Sequence, residues 1–584
     1  MSESRRSAFH RPSRRISSPR DSVTDTPRAP RDPLPARLAP VVPVPRAPDA
    51  PPLPDLLNVE PVQTVDAPAL VRALMFSFVA GDDGGAVAGA LDKAPIAAST
   101  FEPACFFDEL FVRDFVRSCM PGRAHERYLL RVMSQPPSDA AVRAQRAEIW
   151  GEIAESPTVR AAVELVNARI RTLFDHFRPD EHGFQGEEAR RRIDVLRAIL
   201  ETFEALVSPA LAESRSCLRR VAEFAAHVRA TEAHARLEEL LRYENERAYA
   251  DLTLQLSADG RIRGLRVVAV REDTRNRYHV PLYQQWLARI GLFIRGLRVP
   301  DGEIVDRWLD QVFDGVCGFL PALVQLGGDL DVVLAGVAFR DLCTARGLPT
   351  CFPTWVPPEA PSRPSQISGL FNPLLLGLGV TPVACSLEPG PRGETMLVTG
   401  PNSGGKTRLL QAVGLLQLCA QAGMYVPAAS AHIPDVPGIF ASLSQPAGAE
   451  QSEGRLGTEL LRIRMLFERA EPGTLVLVDE LCSGTSPSEG EELFRLVLDL
   501  LRELRPVALI STHFLRFAAD LADQTGGAAG DLPLRFLRVD LDEKQRPTYH
   551  FSPGVADTSL AQQTAARLGV TREELRALLA AKRL

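Results

Sequence analysis

The stretch that most narrows what this chain can fold into runs from Glu394 to Thr407, ETMLVTGPNSGGKT, where a short apolar strand breaks into a glycine loop ending in Lys-Thr. Gly400, Gly405, Lys406 and Thr407 fit the phosphate-loop pattern GxxxxGK[ST], with Pro401, Asn402, Ser403 and Gly404 completing the loop. Successive backbone N–H groups in such a loop point inward and, with the N-terminus of the next helix, form a concave positive surface for phosphate oxygens. Glycine lets the backbone curl tightly and approach an anion without a Cβ in the way. Lys406 is then placed to neutralise β- and γ-phosphate charge, and the Thr407 hydroxyl to ligate Mg²⁺. The chain holds four lysines, Lys93, Lys406, Lys544 and Lys582, against abundant arginine, so a lysine here reads as a choice of the compact ammonium.

At 584 residues the chain has room for two to four domains. Its net charge of −6 is near neutral for that length, so no global field marks nucleic acid or a membrane as partner, and any DNA contact must be local. Nine cysteines are scattered without a CxxC pair, which favours reduced thiols and the cytoplasm over a disulfide framework or zinc site. The uncharged stretch from Gln366 to Leu387 is broken by Asn372, Pro373, Pro382 and several glycines, so it reads as short buried strands and not a membrane span.

Taken in order, residues 1–100 read as a Pro/Arg-rich disordered tail passing into a weakly structured lead-in. The first fifty positions carry ten arginines against five acids. Such composition buries too little apolar surface to offset chain entropy; a basic arm that brushes an acidic surface is the alternative. Helical periodicity then marks a core over 101–250, a change of period marks a short β-hairpin over 251–281 with Asp259-Gly260 as its turn, and helices resume over 282–347. A proline-rich linker, 348–365, leads into alternating strands and helices over 366–584, the pattern of a parallel sheet covered by helices. Within it LVLVDE sets Asp479 and Glu480 at the carboxyl end of a buried strand, where ligands bind in open α/β sheets. Asp479 would support the Mg²⁺ shell, Glu480 would deprotonate the attacking water, and His513, after the next strand, could contact the γ-phosphate. Ser486-Pro487-Ser488-Glu489 reads as a capped helix start.

TGPNSGGKT, VDELCSGTSPSEG and ISTHF together resemble the ATPase domain of the MutS mismatch-repair family, whose patterns are TGPNxGGKST, DELGRGTSxxDG and ATH. The 73 residues from Lys406 to Asp479 are too few for a transporter-type ATPase or an inserted coiled coil. GLFNPLLL at 369–376 is similar to the family's RHPLL segment, with Phe371-Asn372 in place of Arg-His. GGDLDVVLAGVAF at 327–339 looks like the lever helix, and 125–160 like the start of the helical core. The resemblance implies an ABC-type α/β P-loop ATPase domain behind a mostly α-helical core and lever. It implies ATP and Mg²⁺ as cofactors, a homodimer, and a nucleotide held between one subunit's phosphate loop and a signature segment of the other.

Glu450–Arg462 stands in the signature position, where Glu459 fits, Gly454 replaces the expected serine and Ser452 is the available substitute; Ser483 replaces the usual arginine after Asp-Glu. Residues 557–584 are similar to the family's closing helix-turn-helix, with Leu575, Leu578 and Leu579 as a packing stripe; a DNA-reading helix-turn-helix is the alternative. Phe107-Asp108-Glu109 matches the letters of the family's mismatch-reading Phe-x-Glu but stands too near the core segment for a reading domain, so it reads as core helix. Function follows as an ATP-switched dimeric DNA clamp without mismatch reading, in repair or recombination. The alternative is an ATP-binding regulatory protein that acts through a protein partner.

Overall fold

A computed structural model of the chain describes residues 34, 35, 40 and 51–581, apart from 82–84, 123, 178–187, 246–247, 257–261, 273–301, 358–364, 391, 444–453, 483, 526–533 and 558–569. The basic tail, the Asp259-Gly260 turn, Ser452, Ser483 and the first helix of the expected C-terminal pair lie outside the described residues.

The lead-in differs from the sequence expectation. Residues 67–93 form α1 (Ala67–Ala80) and α2 (Ala86–Lys93). Asp66 caps α1 by accepting the Ala69 N–H, and Gly81 ends it in the left-handed region. The helix is apolar on almost every side, which leaves little periodic contrast to read. Ahead of it, Leu56 and Leu57 are buried rather than part of a tail.

The helical core continues with α3 (Val112–Cys119), α4 (Glu126–Ser134), α5 (Ala140–Glu155), α6 (Pro157–Asp175), α7 (Glu188–Leu206), α8 (Arg219–Arg229) and α9 (Glu232–Asn245). Phe107 is buried in the turn before α3, where a helix was expected. Strands β1 (Ala248–Leu256) and β2 (Ile262–Glu272) pair antiparallel. Helices α10 (Gly302–Cys317) and α11 (Leu320–Ala345) follow. By length and hydropathy α11 is apolar enough to cross a membrane, but 94% of its most apolar window is buried inside the fold.

Two acids make α11 the anchor of the core. Asp329 accepts the Leu56 N–H and the Tyr128 hydroxyl, each at 3.1 Å, and so holds the lead-in segment against α4. Asp331 accepts the Ala124 and His125 amides at 3.1 Å, His125 Nδ1 at 2.9 Å and the Arg171 guanidinium at 2.6 Å. A buried carboxylate needs such partners, because each unpaired lone pair costs its desolvation.

The linker contributes a strand rather than only a boundary. β3 (Thr354–Val356), β4 (Gln366–Leu370), β5 (Cys385–Leu387) and a later strand make a four-stranded sheet. Next come β6 (Thr395–Thr399), α12 (Lys406–Gln421), β7 (Ser430–Pro434), which joins that small sheet between β3 and β4, and β8 (Ile439–Ser442). The chain continues through α13 (Gly454–Arg469), β9 (Leu475–Val478), α14 (Pro487–Leu504), β10 (Val507–Thr512) and α15 (Leu515–Thr525). It closes with β11 (Leu534–Leu541), β12 (Pro547–Pro553) and α16 (Arg572–Ala581).

The main sheet has the order β12-β11-β6-β10-β9-β8, parallel throughout except for the β11–β12 edge pair. Every residue of β6, β9 and β10 is buried, as continuous apolar runs require when helices cover both faces. Half of the expected box forms at α14. Glu489 accepts from the Thr485 hydroxyl at 2.6 Å and reaches back to the backbone and side chain of Ser486, while no side-chain bond comes from Ser486 to the helix backbone. On α16 Leu575, Leu578 and Leu579 are exposed.

The candidate nucleotide site

The glycine loop leaves the carboxyl end of β6 and turns into α12. Gly400 has φ 139° and Gly405 φ 88°, backbone that a side chain strains to adopt. A Cβ on Gly400 would also stand 2.6 Å from Val539 Cγ2, so the loop has no room for one. Lys406 opens the helix buried, its Nζ donating to the Gly400 carbonyl at 3.0 Å and the Pro401 carbonyl at 3.1 Å. Burial pushes the Lys406 ammonium below the usual lysine range, and the charges of Asp479 and Glu480 oppose that shift.

β9 and β10 deliver the acidic side. Thr407 Oγ1 and Ser511 Oγ both donate to the Asp479 carboxylate, one to each oxygen. A hydroxyl and a carboxylate in contact are hard oxygen donors suited to Mg²⁺, which takes one or two protein ligands and completes its shell with phosphate and water. Among the described residues no group of three or more His, Cys, Asp or Glu side chains is placed to hold a metal ion. Glu480 is half-buried with φ 52°, and its N–H donates to Ser511 Oγ at 2.9 Å.

A cavity of about 740 Å³ opens over the loop, lined by Asn402, Ser403, Gly405, Lys406, Thr407 and Glu480. Asp479 reaches it through Thr407 rather than lining it. His513 follows β10 as expected, but its ring lies 4.4 Å from that of Phe514 and does not line the cavity. Glu459 on α13 accepts the Gly484 N–H at 3.3 Å within the same chain, just past the Asp479-Glu480 turn.

Sequence reasoning missed the apolar part of the cavity. Tyr549 and Phe551 of β12, Val380, Val383 and Phe111 line it, an apolar surface suited to a flat ring. Tyr549 has φ 63° and borders Gly405. These residues come from distant parts of the chain without a local motif. Asn372 carried a signal, since it stands in the segment that departs from the family pattern. Its Nδ2 donates to the Arg408 carbonyl at 3.0 Å and to Gln411 Oε1 at 3.2 Å, tying that segment to α12.

Fold and site together define a mixed α/β domain that presents a glycine loop, a buried ammonium and paired acids to an anionic ligand. Residues 396–573 match MutS domain V. The chain is 30% identical over 415 residues to the endonuclease MutS2 of Thermomicrobium roseum, covering 65% of this chain and 48% of that protein. It is 28% identical over 384 residues to that of Pelotomaculum thermopropionicum, covering 63% and 45%. Over 286 residues it is 30% identical to that of Thermus thermophilus, covering 48% and 36%. These likenesses support membership in the MutS family, and the chain spans about half the length or less of these relatives.

Proposed function

We propose that this protein is a P-loop ATPase of the ABC type that hydrolyses MgATP and uses it to switch a dimeric clamp on DNA, in repair or recombination, within the cytoplasm. The observation that carries the reading is the contact of Thr407 with Asp479, which brings the loop after β6 and the acids after β9 to one place beside the cavity. The loop N–H groups and Lys406 bind the phosphates, and Tyr549 stacks on the base. Thr407 and Asp479 would hold Mg²⁺, which would supply charge neutralisation at the phosphate oxygens. Glu480 takes a proton from water as the water oxygen bonds to the γ-phosphorus and the bond to the β,γ-bridging oxygen breaks, yielding ADP and phosphate. In the dimer the Ser452–Glu459 segment of one protomer faces the nucleotide of the other. His513 lies one strand over and is assigned to the γ-phosphate side.

Sedimentation with a non-hydrolysable ATP analogue tests the dimer; a lone protomer at saturation would overturn it. Filter binding to mismatched, branched and plain duplex DNA across a salt series tests the clamp, because phosphate contacts make log affinity fall steeply with log salt. Absence of DNA binding at low salt would favour a regulatory ATP-binding protein acting through a protein partner, a reading that the near-neutral charge of −6 also suits.

A further inference from the structure

Glu109 lies in the turn before α3, in the helical core, yet its carboxylate reaches the α/β domain. One oxygen accepts the Leu443 N–H at 2.8 Å, and the other accepts the Arg462 guanidinium of α13. The Glu109 and Arg462 side chains are 12% and 25% exposed, so solvent screens the pair little.

The Leu443 N–H and the Ser442 carbonyl belong to one planar peptide group and point in opposite directions. That carbonyl accepts the Asp479 N–H at 2.9 Å. A single peptide unit therefore links the Glu109 charge on one side to the backbone of Asp479 on the other. A negative charge at the N–H end polarises the peptide and strengthens the bond its carbonyl makes.

The turn at Asp479 needs such support. Glu480 at φ 52° and Cys482 at φ 59° are left-handed residues with side chains, a conformation that persists only where neighbours over-determine it. Ser511 holds the Glu480 N–H, and Glu459 holds the Gly484 N–H. Glu459 and Arg462 lie one turn apart on α13, so Glu109 steadies both the strand end before the turn and the helix behind it.

We propose that Glu109 is a positioning residue for ATP hydrolysis, acting through the Ser442–Leu443 peptide and Arg462 to hold Glu480 in its strained, productive place. Movement of the helical core is thereby read out as turnover. This rests on the hydrolytic reading above.

The test compares MgATP turnover, equilibrium binding of a fluorescent ATP analogue with Mg²⁺, and melting temperature for the full-length wild type, Glu109→Gln, Glu109→Ala and Arg469→Gln. Arg469 is the control. On the same helix it bonds Glu102 of the same core segment at 2.8 Å, away from the turn. The loss of a charged hydrogen bond should lower kcat of Glu109→Ala about tenfold, and of Glu109→Gln by less, with nucleotide affinity within about twofold of wild type. Arg469→Gln should match wild type throughout. If Glu109→Ala does not fold, the isosteric Glu109→Gln carries the test. Wild-type kcat in the Glu109 variants, a parallel loss of affinity and turnover, or an equal fall in Arg469→Gln would each overturn the proposal while leaving ATP hydrolysis standing. A wild type that binds nucleotide but does not turn it over would overturn the hydrolytic reading itself.

Discussion

Lys406→Met tests the phosphate loop most directly, because it removes the ammonium and leaves a chain of similar length. The Lys406 side chain is buried and donates to two loop carbonyls, so without nucleotide its charge is held against a desolvation cost. Methionine relieves that cost while taking one donor from each carbonyl, of which Pro401 keeps the Gly404 N–H at 2.9 Å. These effects oppose one another, so the melting temperature without ligand should move by only a few degrees. Binding responds differently. A charged hydrogen bond contributes about 1.5–3 kcal/mol, so losing Lys406 weakens nucleotide binding on the order of 10- to 100-fold. With ligand at about 100 times the wild-type Kd, binding stabilises the fold by ~2.7 kcal/mol; a hundredfold weaker variant retains about 0.4 kcal/mol. Differential scanning fluorimetry with and without MgATP reads that difference. A Lys406→Met protein that keeps the full MgATP-dependent shift would refute the assignment of the loop as a phosphate cradle.

Glu480→Gln should lower MgATP turnover by on the order of 100-fold or more while retaining nucleotide affinity, measured by phosphate release against equilibrium binding; equal turnover would remove Glu480 from the mechanism. Tyr549→Ala should weaken ATP binding about tenfold, with Tyr549→Phe close to wild type, because ring stacking and not the hydroxyl is at stake; inorganic triphosphate binding should not change. Asp331 gives a pH signature. Burial alone would raise its pKa, but hydrogen bonds and charge from His125 and Arg171 hold it below the usual carboxylate range. A depressed carboxylate pKa contributes stability above its unfolded value of about 3.9, and that contribution is lost as pH falls below it toward the folded pKa. Asp331→Asn should therefore cost about 3 kcal/mol at neutral pH in urea unfolding and show a shallower loss of stability below about pH 4. An unchanged acid limb would refute that role.

The parts of the site that could be read in the sequence are those whose chemistry is local. A loop that wraps a phosphate needs glycines, a lysine and a hydroxyl within a few residues, and a parallel strand needs a continuous apolar run, so β6, the loop, β9 and Asp479-Glu480 all announce themselves. Thr407 and Asp479 could be paired because a shared ligand demands it, although 72 residues separate them. The two lead-in helices were hidden for the opposite reason. α1 is apolar nearly all round, and Leu56 and Leu57 are buried against residues far along the chain, among them Asp329, which receives the Leu56 N–H, and Arg146, which donates to the Leu57 carbonyl.

The same limit explains Tyr549, Phe111 and Glu109. Each is an ordinary residue in its own neighbourhood, where Phe107-Asp108-Glu109 offers only a misleading resemblance of letters. Its meaning arises when the turn before α3 docks on the end of β8 and Glu109 meets the Leu443 N–H. Backbone strain shows the same dependence. Positive φ at Phe111, Glu480 and Tyr549 costs roughly 1–3 kcal/mol each, and nothing in those residue types calls for it. Phe111, Glu480 and Tyr549 all line the cavity, and they come from the core, from the β9 turn and from the edge strand β12. Strain gathered from three separate parts of the chain around one cavity is sustained only by the assembled fold, so the cavity's shape depends on how the helical core sits on the α/β domain as much as on the glycine loop itself.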